Sequence, residues 1–303
     1  MRIVVTGASG QFGQLAVEGL LAQVSASDLI LVTRQPQKLA SLAARGVQVR
    51  YGDFDVAHSL AAAFAGGEKM LLISASRVGK RIPQHKAAID AAVQAGVKHI
   101  VYTSFVGATD DNPSLAVSDH RGTEALLLAC GADWTALRNS HYMDAIVQAI
   151  APPAIKSGRW LSNAADGKEA AVARQDCVDC AVAVLTTAGH RNCVYDITGP
   201  ELVTFREAAA TLAEVSGRPI EYTVVSDDDM YAMFDSIGIP REPVDDQVID
   251  GVPWCSDDMV SFGKAIREGR FAVISDDVRK LLGRAPQSLR SFALKHREML
   301  RKL

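Results

Sequence analysis

Gly7, Gly10 and Gly13 stand three apart in "VVTGASGQFG", directly after a run of β-branched residues. Glycine at such positions lets a backbone turn tightly and approach a pyrophosphate. The helix that follows turns its unpaired N–H groups and positive dipole end on the same anion. That chemistry is dinucleotide binding, with Thr6, Gly7, Ala8, Ser9, Gly10, Gln11, Phe12 and Gly13 as its candidate residues. The pattern is weak alone and specific when it links a strand to an amphipathic helix.

The second apolar run ends "LVTRQPQK". Arg34 stands where an NAD site carries an acid for the ribose 2′-hydroxyl, and Lys38 follows one helical turn on. A guanidinium clamps a 2′-phosphate in bidentate fashion, whereas a carboxylate repels it. The expected cofactor is therefore NADP(H), with a solvated loop charge as the other reading of Arg34. Asp53 and Phe54 follow the third run and are placed beside the adenine. Asp53 serves equally well as an N-cap for the helix in "VAHSLAAAF". Ser74, Ala75 and Ser76 end the fourth run, near the cofactor ribose, because ligands of open α/β sheets bind at the carboxyl ends of strands.

The elements that must position these groups are legible over residues 1–140. Six runs, "RIVVTG", "LILVTR", "VQVRYGD", "KMLLIS", "KHIVYTS" and "DWTALRN", are nearly continuous in apolar character. Strands buried on both faces of a parallel sheet have that character. Phe12, Leu15, Ala16, Gly19 and Leu20 follow the spacing of one helix face. "PQHKAAIDAAVQAGV" reads as a helix stopped at Gly96. The expected fold class is α/β: a Rossmann-like, doubly wound parallel sheet over 1–140, then a smaller C-terminal α+β substrate lobe over 141–303, partly interleaved with it.

Composition narrows the classes. The 303 residues are 48% hydrophobic and 22% charged, with net charge −3, so no strong pull toward nucleic acid or an anionic membrane is expected. No signal peptide and no apolar run of transmembrane length is seen, which gives an expectation of a cytoplasmic protein, monomer or homodimer. Cys177 and Cys180 form "CVDC" without a second pair, inside a segment that reads as a buried helix; no metal is expected. Residues 221–260 carry eleven acidic side chains and one basic, and residues 264–303 carry eleven basic and four acidic. Solvated faces, or segments that neighbour each other, account for that asymmetry.

"TGASGQFG", "TRQPQK", "YGDFD", "LLISAS", "AAVQAGVKHIVYTS" and "TEALLLACGADWTALRN" together resemble the NmrA-like, atypical short-chain dehydrogenase/reductase families. The resemblance is greatest to bacterial NADPH-dependent quinone reductases and triphenylmethane-dye reductases. It implies hydride transfer to a small aromatic or quinone-like acceptor. In "AVSDHRGTE", Ala116 and His120 fall where ordinary members of the superfamily carry a tyrosine and a lysine. The resemblance further implies that Asn139, His141 and Tyr142 lie beside the nicotinamide.

Losing the tyrosine does not exclude the reaction. Reduction of an isolated ketone leaves an alkoxide whose conjugate acid is near water's pKa of about 15.7. Reduction of a quinone leaves a phenolate-like anion, with a conjugate pKa of about 10. The difference, roughly 6 units or about 8 kcal/mol, is stabilisation the acceptor supplies itself. Such an acceptor needs positioning more than a proton donor. His120 is the candidate polar group; on a helix starting near Ser118, Glu124 at i+4 would orient it and raise its pKa. Ser104 takes the place of the superfamily's active-site serine, and Tyr142 is the expected wall of the acceptor pocket, with burial and packing as the plain alternatives. Trp160, Trp254, Phe234, Tyr231 and Phe262 are second-lobe aromatics that either line that pocket or form core. A dinucleotide-binding redox sensor without turnover is the competing function. A sugar-nucleotide epimerase is disfavoured, because that chemistry needs the tyrosine base.

Overall fold

The computed structural model describes residues 1–244 and 255–303. The first six strands are β1 (Ile3–Val5), β2 (Leu29–Thr33), β3 (Gln48–Tyr51), β4 (Lys69–Leu72), β5 (His99–Phe105) and β6 (Asp133–Asn139). Five more follow: β7 (Arg159–Ser162), β8 (Lys168–Glu169), β9 (Cys193–Ile197), β10 (Val203–Thr204) and β11 (Glu221–Val224). Seven form one sheet in the order β3-β2-β1-β4-β5-β6-β9, and every neighbouring pair is parallel. The order reverses between β1 and β4, and that switch point opens a crevice at the carboxyl ends of the strands.

The six expected strands are all present. The central ones, β1 and β2, are buried along their whole length, as continuous Ile, Val and Leu runs require. At the edge, β3 is only partly buried, and its Gln48 and Arg50 bond to each other at 2.7 Å. The other edge, β9, comes from the chain's second half and pairs Thr135–Asn139 with Cys193–Ile197.

Helix Gln11–Leu21 starts from Gly10 and buries Phe12, Gly13, Ala16, Val17 and Leu20. Leu15 points outward, so the buried stripe is rotated slightly from the expected one. The stripe packs on helix Arg174–Thr186, in which Cys177 and Cys180 are fully buried free thiols. Helices Arg81–Gln94 and Leu115–Ala129 pack against each other, and Gly96, at φ +86°, ends the first of them as expected.

In the second half, β7 pairs with β11 and β8 with β10. Helix Phe205–Ser216 opens on a capping box, in which Thr204 Oγ1 accepts from Glu207 N and Glu207 Oε2 accepts from Thr204 N. Trp160 stacks on Phe205 with centroids 4.9 Å apart, and Phe234 is buried in a separate cluster that Tyr231 flanks. Trp254 lies outside the described residues. The acidic and basic segments meet: Arg267 clamps Asp227 through two bonds of 3.0 and 3.1 Å. Among the described residues no helix is long and apolar enough to cross a membrane.

Candidate active site

Beyond Val5 the chain enters the crevice. The buried Thr6 Oγ1 accepts from Ile73 N at 3.0 Å and donates to Leu71 O at 3.2 Å, which stitches the end of β1 to that of β4. Gly7 then adopts φ +58°, a conformation that disfavours any side chain. Gly10 N closes the turn on Gly7 O at 2.9 Å. A Cβ on Gly13 would lie 2.4 Å from Gly7 O and 2.7 Å from the Ala8 Cα. Only glycine lets the helix seat this closely on the turn, and Gly10 at the N-cap brings no side chain to cover the first N–H groups.

A cleft of about 480 Å³ runs from there across the strand ends. From the glycine turn it is lined by Thr6, Gly7, Ser9, Gly10, Gln11, Phe12 and Gly13. Arg34 from the end of β2, and Asp53 and Phe54 beyond β3, line one side. Ser74, Ala75 and Ser76, after β4, line the other together with Tyr142. Ala8 does not; its side chain is buried beneath the turn. Lys38 is exposed on the short turn Pro36–Leu39, outside the cleft lining. Asp53 caps no helix: its Oδ1 accepts from Asp55 N at 3.0 Å, and Ser59 Oγ accepts its backbone N–H at 3.0 Å.

Several lining residues escaped the sequence reading. Asp55 and Arg77 are ion-paired across the cleft mouth, and Gln84 Nε2 donates to Asp55 at 2.8 Å. Asp55 and Arg77 each follow an expected residue directly, so extending the strand-end rule by one position would have found both. Gln84 sits mid-helix and carries no local signal. Ile73 and Thr103 complete the floor.

These residues fit a dinucleotide. Among the described residues no acid pairs with Arg34, which is exposed at the end of β2. Gln84 Oε1 is buried beside the cleft without a partner, an acceptor left open for a ligand donor.

His120 is not in the cleft lining. It is 4% exposed, and both its ring nitrogens are engaged. Arg81 Nη1 lies 3.3 Å from Nε2, and Tyr102 OH lies 2.7 Å from Nδ1. A guanidinium only donates, so Nε2 accepts and Nδ1 carries the proton toward Tyr102. His85 has the same tautomer for a parallel reason: Ala75 N donates to its Nε2 at 2.9 Å, and its Nδ1 faces Thr123 Oγ1 at 2.8 Å. Arg81 Nε also donates to Ala75 O at 2.6 Å. The cleft-lining Ala75 is thus held by both its N–H and its carbonyl.

The expected contact between His120 and Glu124 is absent. Glu124 Oε1 accepts instead from Ser104 Oγ at 2.5 Å and Arg138 Nε at 2.9 Å, while its Oε2 takes Arg138 Nη2 at 2.7 Å. The helix begins at Leu115, and from its face Glu124 reaches strand β6 rather than the imidazole. The Ser104 hydroxyl is engaged by that bond, and Ser104 is not among the cleft-lining residues. Burial, then the charge of Arg81 and of His85, push the His120 pKa well below its ordinary value, opposite to the expected direction. Burial and Arg81 push His85 down to about 3.

This has a measurable consequence. A histidine whose folded pKa lies below its unfolded value binds more protons when unfolded. Its stabilisation is complete above the unfolded value of about 6.5 and is lost as pH falls toward the folded value. For His85 that window runs from there to about 3. Each pH unit within it should cost about 1.4 kcal/mol per such histidine. Urea unfolding at about pH 7.5 and about pH 5 should show wild type losing more stability than His85→Gln. Parallel losses would mean that His85 is not held neutral.

Tyr142 presents its ring to the cleft, accepts from Asn139 Nδ2 at 3.1 Å, and lies under the Arg174 guanidinium at 5.2 Å. Burial raises its pKa, so the hydroxyl stays protonated. Asn139 is buried behind it. His141, half-buried and outside the cleft lining, contacts the second half: its Nδ1 meets Glu169 Oε1 at 2.8 Å, and its ring meets Phe262 at 5.0 Å.

Comparison with known proteins places these features in a lineage. A family model described as NAD(P)H-binding matches residues 7–188. Quinone oxidoreductase 2 of Escherichia coli (strain K12) is 40% identical over 78% of this chain and 82% of its own length. The crystal structure of an Escherichia coli NADPH-dependent quinone oxidoreductase complexed with NADPH superimposes with a TM-score of 0.87 at 36% identity, covering 96% of this chain and 98% of that one. Triphenylmethane reductase of Citrobacter sp., solved with NADP(H), gives 0.86 at 33% identity, over 98% of this chain and 100% of that one.

Proposed function

The chain belongs to the NAD(P)H-binding family and is an NAD(P)H-dependent oxidoreductase, and from that premise we propose that it uses NADPH to reduce quinones or similarly conjugated aromatic acceptors. The observation that carries the reading is a cleft lined by a glycine turn, by Arg34 without an acid partner among the described residues, and by the aromatic Tyr142. The nicotinamide, when bound, supplies the hydride.

The chain's own residues do the rest. The turn from Gly7 to Gly13 and the helix behind it hold the pyrophosphate, and Arg34 holds the 2′-phosphate. Ser74, Ala75 and Ser76 face the nicotinamide half, with Ala75 fixed by Arg81 and His85. His120 acts through Arg81 and is a positioning residue. Ser104 works at one remove too, by fixing Glu124 against Arg138. Ala116 leaves no phenol to protonate an alkoxide, which restricts the acceptor to one that stabilises its own charge. In this reading the sheet, β9 included, is the cofactor unit, and the other elements beyond residue 140 shape the acceptor side.

NADPH oxidation by the purified protein, followed against quinones, cationic dyes and aliphatic ketones, tests this. Turnover is expected with at least one conjugated acceptor and with no aliphatic ketone. Efficient ketone reduction would remove the acceptor argument. Tight NADPH binding with no oxidation across the set would favour a redox sensor.

A further inference from the structure

Three buried oxygens without partners lie along one short segment and the carboxylate bonded to it: Asn139 Oδ1, Ser140 Oγ and Glu169 Oε2. Each of the three residues is no more than 2% exposed. Between them in sequence and space stands His141. An ionised carboxylate only accepts hydrogen bonds, so at 2.8 Å from Glu169 Oε1 the His141 Nδ1 is the donor. That leaves Nε2 without a partner among the described residues. The backbone here is fixed: Val172 N donates to His141 O, and Met143 N donates to Val172 O, both at 2.9 Å.

The ring's surroundings set it apart from His120. Phe262 meets it edge-on at 5.0 Å, and Phe205 lies at 6.3 Å. Helices Phe205–Ser216 and Ser256–Arg267 therefore bring aromatic surface to it. Glu169, from β8, is the only acid paired with it among the described residues. The Arg174–Asp144 pair lies nearby, with Arg174 over the Tyr142 ring. His141 is not itself among the cleft-lining residues; it directly precedes Tyr142, which is, and its ring meets Phe205 and Phe262 of the second half. His120, by contrast, is enclosed with both nitrogens occupied and cannot exchange a proton with a ligand.

We propose that His141, oriented by Glu169, is the catalytic acid that protonates the oxygen of the reduced acceptor. The inference rests on the reductase reading above. Hydride arrival leaves the acceptor with a negative oxygen. The Nε2–H bond of the imidazolium breaks and an O–H bond forms, while Nδ1–H stays on Glu169. Water returns a proton to Nε2 after product leaves. NADPH, quinone and one proton give NADP⁺ and hydroquinone, so electrons and protons balance. Glu169 is the positioning residue: its carboxylate accepts from Nδ1 and so fixes the tautomer and the orientation of the ring.

The test compares acceptors that differ in proton demand. A quinone needs the proton; a cationic triphenylmethane dye takes hydride on carbon, becomes neutral, and needs none. Single-turnover NADPH oxidation with a benzoquinone and with such a dye is followed over about pH 5–9. The proteins are wild type, His141→Ala, His141→Asn and Glu169→Gln. Asparagine keeps a donor for Glu169, so that variant retains the buried bond. The quinone rate should fall about 10- to 100-fold in both His141 variants, at or below the bottom of the range for a general acid, because the acceptor stabilises its own charge. The decline of the quinone rate at alkaline pH should vanish with it. Glu169→Gln should lower the quinone rate as well, since the imidazole loses the carboxylate that orients it. Dye reduction and the NADPH dissociation constant should stay within about threefold of wild type, below the tenfold that 1.4 kcal/mol represents.

Equal losses for quinone and dye would overturn the proposal and make His141 a cofactor contact. Unchanged quinone rates would overturn it as well. If wild type reduces the quinone alone, the alkaline limb decides. If wild type reduces neither, the reductase reading fails first, and this inference falls with it.

Discussion

Gly13→Ala should abolish useful NADPH binding while leaving a folded protein. The new methyl would meet backbone atoms, Gly7 O at 2.4 Å and the Ala8 Cα at 2.7 Å, and neither is the end of a flexible side chain. Helix Gln11–Leu21 must move off the turn to admit it. Overpacking of this kind costs about 1–3 kcal/mol of stability. The cofactor loses more, because the pyrophosphate depends on the same N–H groups. Two charge-assisted hydrogen bonds at about 1.5–3 kcal/mol each give a loss of about 3 kcal/mol or more, on the order of 100-fold in affinity. Thermal unfolding with and without saturating NADPH separates the two effects. Wild type should show a large upward shift of Tm with NADPH, and the variant a lower Tm with almost none. An undiminished ligand shift would mean that the pyrophosphate does not sit on this turn.

Arg34→Glu should reverse the choice of dinucleotide. Arg34 is exposed at the end of β2, faces the cleft, and has no acid partner among the described residues. Removing a charged donor from a phosphate costs about 1.5–3 kcal/mol, roughly 10- to 150-fold in NADPH affinity. A carboxylate adds repulsion to that loss and offers the NADH ribose an acceptor. Arg34→Ala should therefore weaken NADPH alone, whereas Arg34→Glu weakens NADPH further and leaves NADH equal or better. Fluorescence titration of both cofactors against wild type and the two variants reads this directly. Indifference of NADPH affinity to both substitutions would assign the 2′-phosphate to another cation, with the exposed Lys38 the nearest in sequence.

The sheet was largely legible because burial on both faces writes itself into composition. β1, β2 and β4 are apolar save for Thr33 at the end of β2 and Lys69 at the start of β4. β9 was missed for the converse reason. As an edge strand it is only partly buried, and its "CVYDI" mixes polar and apolar residues without a clear period. The glycine turn was legible because backbone geometry alone dictates its residues. The surroundings of His120 were not. A spacing of four on one helix places Glu124 near the imidazole, but which cation claims that carboxylate depends on β6, and Arg138 takes it. Burial then set the histidine's charge state, through Tyr102 and Arg81 from two other elements. His141 was visible only as a neighbour of Tyr142, since its carboxylate lies 28 residues further along the chain.

The return of β9 to the sheet also bears on how the chain reaches its native state. Strand β6 finds its outer partner only after some fifty intervening residues. Until Cys193–Ile197 has left the ribosome, Thr135–Asn139 presents a row of unpaired amide and carbonyl groups along an open sheet edge. Such an edge recruits strands from other chains. Helix Arg174–Thr186, which shields Phe12, Val17 and Leu20, arrives equally late. A polypeptide cut at the apparent end of the sixth strand would therefore carry a nearly intact glycine turn and still aggregate. Pairings over such sequence separations also slow folding, because loop closure precedes the contacts that reward it.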